Sequence, residues 1–443
     1  LRDNPIPGTI GRICHFHCQM RCRREMVDDP VAQGEIHRYL ADTMYQLGKE
    51  NEIYNRLIAE KLPSSGKKIA IVGAGPAGIT AAFYLVRLGH DVTVFDAMPE
   101  AGGVLRYGIP QYRLPKSVLK KELKLIKKLG VKFVFNTRIG KDIFLHDLKN
   151  EFNAVYLAFG AWKDIDLNIP GEKYRGVFAG TDILKNLSLD KMPKIGQKIV
   201  IIGGGNVAID AARSLWRLGK DVTVVYRREK VDMPANKDEI AEAEAEQIHF
   251  RFLAAPHEIV ADNSGKVKAL KIEVMTTGPV DSSGRRKPIA TGKFEEIPCD
   301  TVVLAVGERV DSAPFASEGL KVTKDGRLVV HPFTFQTSVS NIFAGGDAVM
   351  GPATAAEAMG MAKRAAEAID FELMKEKRFH LLFRKFEYRN VVPADIKKSP
   401  KNISTKIQVK ERVGNFHEVS IGYTGEQARN EVNRCLRCDV KIN

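Results

Sequence analysis

The hydrophobic positions of the chain form two copies of one pattern: a short apolar strand, a glycine-rich turn, a helix and a second strand. In the first copy, residues 67–72 predict the first strand, the helix ends near Gly89, and residues 92–96 predict the second strand. The second copy has its strands over residues 198–202 and 222–226. Each copy is therefore predicted to form a βαβ unit of a parallel sheet.

Each unit is followed by a later apolar strand that ends in glycine, over residues 154–160 and 301–307. The most economical arrangement inserts the second unit into the first. We then expect the first unit to span residues 66–187 and 311–375, and the second to span residues 188–310. The predicted fold class is α/β, with two Rossmann-like dinucleotide-binding domains, one inserted in the other.

The two ends of the chain carry other patterns. Residues 1–62 predict a helical domain, because apolar residues recur there at helical spacing. These residues are Ile36, Tyr39, Leu40, Met44 and Leu47. Over residues 376–443 the pattern weakens to a basic segment, a short strand at 418–421 and a helix at 426–434, which together predict a C-terminal tail.

The first glycine-rich turn has the features of a dinucleotide site. The residues predicted to form it are Gly73, Gly75, Pro76, Ala77 and Gly78. Its first two glycines allow a tight turn and let the backbone approach a pyrophosphate at the positive helix N-terminus, while the third lets the helix pack on the strand. Asp96 ends the second strand, where a carboxylate accepts hydrogen bonds from an adenosine ribose.

The second turn keeps the glycines but differs at the end of its second strand. Its predicted binding residues are Gly203, Gly205, Asn206 and Val207. Arg227 and Arg228 stand where the first unit has its acid. Because a guanidinium pair binds a 2′-phosphate that a carboxylate would repel, the sequence favours NADP over NAD. The alternative is that both arginines are solvated charges that follow a strand.

A third cluster lies downstream of both units, where an apolar strand ends in Gly-Gly-Asp before a new helix. Its predicted binding residues are Gly346, Asp347, Thr354, Ala355 and Ala356. The carboxylate at the strand tip is placed to hydrogen-bond a ribityl hydroxyl. The helix N-terminus can direct its partial positive charge at the carbonyl edge of a flavin ring.

The residues that follow these turns carry a resemblance to a known family. They are residues 102–110 with 113–115, residues 225–228 with 233–235, residues 344–347, and residues 11–14 at the front. On them, the chain resembles the two-domain flavoproteins that include the small (β) subunit of NADPH-dependent glutamate synthase. Two further members are the flavoprotein subunit of electron-bifurcating ferredoxin:NADP transhydrogenases and the N-terminal half of dihydropyrimidine dehydrogenase. The resemblance implies FAD in the first unit and NADPH in the second, and it adds Gly103, Arg106, Gly160 and Gly307 to the cofactor-binding residues.

Five of the six cysteines cluster near the two ends of the chain, as Cys14, Cys18, Cys22, Cys435 and Cys438. In the resembled family, a cysteine-rich helical domain before the FAD unit carries [4Fe–4S] clusters. The first three cysteines match it, but Ile10 stands where a further cysteine is usual. One or two clusters are expected: one or both of Cys435 and Cys438 would complete one cluster with the first three cysteines if the termini meet, and His37 is the other candidate ligand.

Other interpretations of the cysteines stay open at this stage. With His15 and His17 nearby, the first three could bind zinc, because cysteine spacing alone does not choose the metal. A CxxC pair can also be a redox disulfide. The sixth cysteine, Cys299, precedes an apolar strand and is predicted to be a buried thiol.

The amino-acid composition narrows the kinds of molecule that this protein is expected to bind. The 443 residues are 44% hydrophobic and 28% charged, and no apolar run reaches the ~18–20 residues of a membrane-spanning helix. Since the start lacks the layout of a signal peptide, we expect a cytoplasmic protein. The net charge of +14 lies largely over residues 116–128 and 375–410, without interleaved aromatic residues. It therefore predicts solvated helix faces or a surface for an acidic redox partner, and not nucleic acid binding.

The predicted function is that of an NADPH-dependent oxidoreductase subunit. Hydride passes between NADPH and FAD, and single electrons pass between FAD and the iron–sulfur clusters of a partner, so no catalytic side chain is predicted. The resemblance implies as partner a glutamate synthase large subunit, or a ferredoxin/NAD reductase-like or NADH-dehydrogenase-like module. One alternative is a non-catalytic wiring or scaffold subunit. Another is a disulfide reductase, which needs a CxxC in the second unit, where residues 188–310 contain only Cys299.

Overall fold

The computed structural model describes residues 1–282, 284–382 and 396–438. Its strands are β1 (Lys68–Val72), β2 (Asp91–Phe95), β3 (Lys132–Val134), β4 (Ala154–Leu157), β5 (Lys163–Asp164), β6 (Val177–Ala179), β7 (Lys198–Ile202), β8 (Asp221–Tyr226), β9 (His249–Phe252), β10 (Ala254–Ala261), β11 (Val267–Val280), β12 (Arg286–Pro298), β13 (Thr301–Leu304), β14 (Glu308–Arg309), β15 (Ile342–Ala344), β16 (Thr405–Lys406) and β17 (Ser420–Gly422). Its α-helices are α1 (Pro7–Ile13), α2 (Gln33–Gln46), α3 (Glu50–Ala59), α4 (Pro76–Arg87), α5 (Val104–Tyr107), α6 (Lys116–Lys128), α7 (Leu145–Glu151), α8 (Gly180–Ser188), α9 (Asn206–Arg217), α10 (Lys237–Ala245), α11 (Ala313–Ala316), α12 (Asp347–Met350), α13 (Ala355–Met374) and α14 (Gly425–Asn433).

The first unit is a parallel five-stranded sheet in the order β15-β4-β1-β2-β3. Every residue of β1 after Lys68 is buried, as expected for a strand with both sheet faces covered. One face is covered by α4 and α13, whose alanines allow a close approach between the two helices. The second, smaller core on the other face includes Leu148 and Phe315.

The second unit is a parallel sheet in the order β6-β13-β7-β8-β9. The chain leaves the first sheet after β4 and returns to it with β15, which pairs with β4. Where it leaves and returns, β5 and β14 pair antiparallel, with Arg309 opposite Lys163. The predicted fold class, an α/β protein with one Rossmann-like unit inserted in another, is confirmed.

An antiparallel three-stranded sheet, β10-β11-β12, accompanies the second unit. Leu270 and Ile272 of β11 pack with Val302 of β13 in one buried cluster. The hairpin of β11 and β12 extends beyond this cluster, and its turn contains Ser283, which lies outside the described residues.

The N-terminal residues form the expected helices, but α2 buries another face than the leucines suggest. Leu40 and Leu47 are 60% and 67% exposed. The helix instead packs on α1 through Gly11, where an added Cβ would lie 2.6 Å from the carbonyl oxygen of Gly34. Close backbone contact, rather than leucine packing, therefore joins these two helices.

The C-terminal segment, residues 396–438, returns to the N-terminal helices. β17 and α14 match the strand and helix predicted in the tail, and α14 packs on α2. Residues 383–395 and 439–443 of the predicted tail lie outside the described residues. In the described part of the chain, no helix has both the length and the apolar character to cross a bilayer.

Candidate functional site

The first glycine-rich turn joins β1 to α4, and its glycines have two different structural roles. Gly73 has a φ of +102°, and a Cβ on it would lie 2.4 Å from the carbonyl oxygen of Ala158. A Cβ on Gly78 would lie 1.8 Å from the Gly73 oxygen. A Cβ on Gly75, by contrast, would find just one atom of the described, non-neighbouring residues within 4 Å, the Cα of Gly103 at 3.8 Å. The packing requires the outer glycines, while the middle one leaves the N-terminus of α4 open, as a phosphate site needs.

Residues 102–106 close over this turn. The amide of Gly102 donates to the carbonyl of Ala74 at 2.8 Å. Gly103 has a φ of +52°, and a Cβ there would lie 2.7 Å from the Cα of Gly75. Arg106 is buried, and its Nε donates to the carbonyl of Ala101 at 2.8 Å. These residues thus shape the wall of the predicted pyrophosphate site.

Asp96 holds the turn itself. Its Oδ2 accepts from the amide of Ala74 at 2.6 Å, and its Oδ1 accepts from the amide of Met98 at 2.7 Å. Burial raises the pKa of this carboxyl, against the opposing effect of both amide hydrogen bonds. Each oxygen keeps a lone pair for the ribose hydroxyl that the sequence predicts.

Asp347 is a partly buried residue with one buried carboxylate oxygen that lacks a hydrogen-bond partner, as do several other side-chain atoms of the described chain. Gly346, at a φ of +65°, approaches α4 so closely that a Cβ on it would lie 2.8 Å from the Cβ of Ala77. This contact places Asp347 beside the N-terminus of α4. Its Oδ1 is buried with no hydrogen-bond partner in the described chain, and burial raises the pKa of the carboxyl to about 7. A buried carboxyl in need of a donor fits a ribityl hydroxyl.

The N-terminus of α13 completes this side of the site. Thr354 caps it: its Oγ1 accepts from the amide of Glu357 at 3.2 Å, and Oε2 of Glu357 accepts from the amide of Thr354 at 3.0 Å. The hydrogen bonds from Thr354 lower the pKa of Glu357. Ala355 and Ala356 follow Thr354 in the first turn and add only small methyl groups to this helix end. Gly160, with a φ of +79°, follows β4 at the same edge of the sheet.

The second turn repeats this geometry between β7 and α9. Gly203 has a φ of +145°, and a Cβ on it would lie 2.1 Å from the carbonyl oxygen of Ala305. A Cβ on Gly205 would meet no described atom within 4 Å. Asn206 and Val207 open the helix, and Gly307 follows β13 with a φ of +122°. The N-terminus of α9 is therefore open, as the predicted pyrophosphate position requires.

Residues 15–17 bridge the two units. His15 Nε2 lies 3.2 Å from Nδ2 of Asn206, the first residue of α9. His15 and His17 are also close enough to Glu357, in the first turn of α13, to help lower the pKa of that carboxyl. His15 thus contacts the N-terminus of α9, and both histidines are near enough to the first turn of α13 to act on it electrostatically. Sequence reasoning missed this role, because nothing in the local pattern links these residues to either helix.

A buried ion pair fixes the orientation of the second unit on the first. Nη1 of Arg113, in the loop between α5 and α6, donates to Oδ2 of Asp210 on α9 at 2.7 Å. The hydroxyl of Tyr112 donates to the carbonyl of Asp210 at 3.3 Å. Arg113 belongs to the segments that carried the family resemblance, but its partner on α9 could not be read from the sequence.

The two arginines after β8 have different surroundings. Arg227 is exposed and makes no ion pair with a described residue. The side chain of Arg228 is only 8% exposed, and its Nη2 donates to Oδ2 of Asp281 at 2.8 Å. The predicted pair therefore divides into one solvent-facing and one ion-paired guanidinium.

The termini meet, as the cysteine pattern requires. Nη1 of Arg24 donates to the carbonyl of Arg434 at 3.2 Å, which joins the segment after Cys22 to the segment before Cys435. Oε1 of Glu431 on α14 accepts from the amide of Ala32 at 2.8 Å.

The predicted metal ligands are nevertheless not assembled. Cys14 ends α1, and Cys18 and Cys22 lie in a segment of turns and short 3₁₀ helices. The three cysteines therefore do not lie on one face of a single helix. Cys435 is exposed, Cys438 is partly buried, and His37 is exposed on α2. Among residues 1–282, 284–382 and 396–438, no three His, Cys, Asp or Glu residues lie together as a metal site.

Cys299 is buried as predicted, with 4% of its surface exposed. Burial raises the pKa of its thiol to about 12. A thiol that stays protonated is a poor nucleophile, so Cys299 does not support disulfide chemistry in the second unit.

Residues 67–362 match the family model of the pyridine nucleotide-disulphide oxidoreductases. The chain is 37% identical to subunit beta of the NADP(+)-dependent formate dehydrogenase of Moorella thermoacetica, over 98% of this chain and 65% of that protein. It thus spans just under two thirds of that relative. It is 33% identical to the small chain of the NADPH glutamate synthase of Halomonas elongata, over 83% of this chain and 80% of that one. The predicted resemblance to glutamate synthase small subunits is confirmed.

The solved structures agree on the fold. FprA of Mycobacterium tuberculosis, in complex with NADPH, is 24% identical with a TM-score of 0.59, and the match covers 71% of this chain and 84% of that one. Two Rossmann-like units with open glycine turns, a family model that spans both, and a relative matched over most of its length lead to one conclusion. The chain belongs to the pyridine nucleotide-disulphide oxidoreductase family, in the branch that includes the glutamate synthase small chains.

Proposed function

We propose that this chain is the NADPH-dependent flavoprotein subunit of a larger redox complex, with FAD in the first unit and NADPH in the second. One observation carries the proposal: His15 contacts Asn206 at the start of α9, and His15 and His17 act electrostatically on Glu357 in the first turn of α13. Both predicted nucleotide sites therefore border the same short segment, and the ion pair of Arg113 with Asp210 holds them in that relation.

The first unit would hold FAD through groups that the fold leaves unoccupied. Gly75 exposes the amides of α4 to the pyrophosphate, and Asp96 faces the ribose. Asp347 offers its unfilled acceptor to a ribityl hydroxyl, and α13 directs its positive end at the ring. When bound, FAD supplies a ring that takes up a hydride and releases electrons one at a time.

The second unit would hold NADPH at the open N-terminus of α9. Gly205 allows the pyrophosphate to approach, and Asn206 is held in place by the amide of Asn236, which donates to its Oδ1 at 3.0 Å. Arg227 and Arg228 follow β8, where the 2′-phosphate of the adenosine ribose lies in this fold. The protein contributes orientation and positive charge, and no side chain acts as nucleophile.

The acceptor of the electrons is proposed to be another redox protein. By their names, the formate dehydrogenase and glutamate synthase relatives are parts of larger enzymes. The net charge of +14 favours an acidic docking partner.

An NADPH–dye assay tests the proposal on the full chain loaded with FAD. We expect dye reduction with NADPH and at least about tenfold weaker affinity for NADH, because one charge-assisted contact to the 2′-phosphate contributes about 1.5–3 kcal/mol. A chain that binds both cofactors without reducing the dye would favour the scaffold alternative. A chain that binds no flavin would contradict the proposal altogether.

We further propose that the terminal cysteines bind a [4Fe–4S] cluster, although the described residues do not form a finished site. The meeting of the termini through Arg24 and Arg434 supports this assignment. Metal analysis of anaerobically purified protein tests it. We expect iron rather than zinc, and the double variant Cys435→Ser with Cys438→Ser should lose it, whereas Cys299→Ala should keep it. Zinc, or iron unaffected by the double variant, would contradict the assignment.

A further inference from the structure

The side chain of Asn206, the first residue of α9, is held at both ends. Its Oδ1 accepts a hydrogen bond from the amide of Asn236 at 3.0 Å, and its Nδ2 lies 3.2 Å from Nε2 of His15. Asn236 is itself fixed, because its side chain caps α10 by accepting from the amide of Asp238 at 2.9 Å. The second unit therefore supplies one contact to Asn206, and the N-terminal segment supplies the other from 191 residues away.

These two contacts assign the donor and the acceptor. Since Oδ1 of Asn206 accepts from a backbone amide, the other end of the side chain is its NH₂ group, which donates. Nε2 of His15 is then the acceptor, and the ring carries its proton on Nδ1. A residue that replaces His15 must therefore offer an acceptor at the position of Nε2.

The backbone around His15 is fixed on the N-terminal helices. Phe16 has a φ of +54°, in the left-handed region that a bulky residue rarely adopts. Its ring lies against α2 at Gly34, where an added Cβ would come 1.9 Å from Cε1 of the ring. The amide of Phe16 also donates to Sγ of Cys14 at 3.2 Å. These contacts fix the backbone on either side of His15, which itself reaches across to α9.

The contact lies at the end of α9 where the pyrophosphate is proposed to bind. A Cβ on Gly205 would meet no atom of the described, non-neighbouring residues within 4 Å, so the space beside the helix end is open. An asparagine side chain at a helix start can fold back onto the nearby backbone amides, which are the donors that a phosphate needs. Because the side chain of Asn206 is bonded elsewhere at both ends, it does not compete with the phosphate for these amides.

We propose that His15 is a positioning residue of the second nucleotide site: it accepts a hydrogen bond from Nδ2 of Asn206 and so keeps that side chain away from the amides that bind the pyrophosphate of NADPH. The N-terminal segment, which the glycine-turn pattern does not include, thereby becomes part of the NADPH site. This inference rests on the proposed function, because it assumes that the second unit binds NADPH.

Calorimetric titration of the full, FAD-loaded chain tests the inference with two probes, NADP⁺, which contains the pyrophosphate, and adenosine 2′-monophosphate, which lacks it. With His15→Ala, we expect NADP⁺ to bind about three- to tenfold more weakly, the range of one hydrogen bond between uncharged groups, and the monophosphate to bind as in the wild type. His15→Gln places an amide oxygen near the position of Nε2, so it should restore the affinity for NADP⁺ to within about twofold of wild type. His249→Ala removes an exposed histidine at the start of the edge strand β9 and is the matched control, with both affinities within about twofold of wild type.

An equal loss of both probes with His15→Ala would show a general structural effect and would overturn the inference, as would an unchanged affinity for NADP⁺. Failure of His15→Gln to restore NADP⁺ binding would also overturn it, because the inference requires an acceptor at the position of Nε2. The wild type separates this inference from the proposed function. If the wild type bound no NADP⁺, the proposed function would fail and this inference with it, whereas a His15→Ala variant that behaved as the wild type would remove the inference alone.

Discussion

At the scale of single residues, each turn contains two kinds of glycine. Some are required because a side chain would collide with the backbone, and others leave space for a ligand. Gly203 combines a positive φ with a Cβ position that collides with the carbonyl of Ala305, so no other residue fits. Gly205 has an ordinary φ of −87° and open space around its Cβ position. The fold has room for a side chain at Gly205, but that side chain would occupy the space of the proposed pyrophosphate.

The substitutions Gly203→Ala and Gly205→Ala should therefore affect different properties, the first mainly stability and the second mainly NADPH binding. We expect the first to lower the free energy of unfolding by about 2 kcal/mol or more, through the collision and the strained φ. The second should cost less than about 1 kcal/mol, as a weaker helix cap, and should weaken NADPH binding at least about tenfold. Urea unfolding and a binding titration measure the two effects. Equal destabilisation by both substitutions would contradict this division.

Asp347 is the other residue whose environment points to a ligand. Asp347→Ala removes the buried acceptor, so we expect the dissociation constant of FAD to rise about tenfold or more. Flavin released on dilution, followed by its fluorescence, measures this change. The exposed Asp325, whose carboxylate pairs with Arg327, provides the control Asp325→Ala, which should retain FAD as the wild type does. Equal retention by both variants would remove Asp347 from the site.

At the scale of elements, buried ion pairs join α9 to its neighbours. Glu246, after α10, has no exposed surface and accepts from Arg213 and Arg217 of α9 at 2.7 Å and 2.9 Å. Arg412 of the C-terminal segment donates to the same carboxylate at 2.8 Å. The guanidinium of Arg217 also lies 3.8 Å from the ring centre of Tyr112. One carboxylate therefore ties the helix of the second turn to α10 and to the C-terminal segment.

This cluster should make the protein sensitive to acid. Burial alone would raise the pKa of Glu246, but the hydrogen bonds from Arg213 and Arg217 outweigh it and lower the pKa to about 2. Because the ordinary pKa of this group is 4.5, the carboxylate stabilises the fold fully above that pH, and its contribution of about 3 kcal/mol is lost as the pH falls towards 2. Glu246→Gln should cost about 3 kcal/mol at pH 7 and should flatten the pH dependence below 4.5.

Urea unfolding from pH 7 down to pH 2 measures both effects. Glu151→Gln, at an exposed position at the end of α7, is the control and should leave the profile of the wild type. A Glu246→Gln profile parallel to that of the wild type would show that this carboxylate is not the acid-sensitive group.

At the scale of the whole molecule, the C-terminal segment holds the units together. The amide of Val419 donates to the carbonyl of Tyr112 at 2.9 Å, and the amide of Gly414 donates to the carbonyl of Arg217 at 3.0 Å. Glu418 pairs with Arg12 of α1 at 2.7 Å. The segment thus contacts the N-terminal helices, the first unit and the second unit, and it supports the orientation that Arg113 and Asp210 set.

Loss of that orientation should slow hydride transfer without loss of flavin. Arg113→Ala leaves Asp210 buried without its partner, so we expect FAD content close to wild type and NADPH-driven flavin reduction about 10- to 100-fold slower. Stopped-flow absorbance measures the rate, and the flavin-to-protein ratio measures the content. Lys149→Ala, at an exposed position on α7 outside this interface, should retain the rate. Flavin loss in step with the rate would mean that Arg113 supports the first unit alone.

Features specified by neighbouring residues could be predicted from the sequence, whereas a contact between distant residues could not. The turns at Gly73 and Gly203, the insertion of the second unit and the helix α14 were all predicted, because each is specified by residues close together in the chain. The pairing of Arg228 with Asp281 spans 53 residues and was not predictable, since nothing near Arg228 indicates the hairpin.

The amino-acid sequence by itself determined the two βαβ units, their glycine turns and the family, because local periodicity and turn chemistry encode these features directly. Only the tertiary structure decided that Arg228 pairs with Asp281, that His15 contacts the N-terminus of α9, and that the cysteine-bearing ends of the chain meet. These features depend on contacts between residues remote in the chain, and such contacts follow from the packing of whole elements rather than from any local pattern.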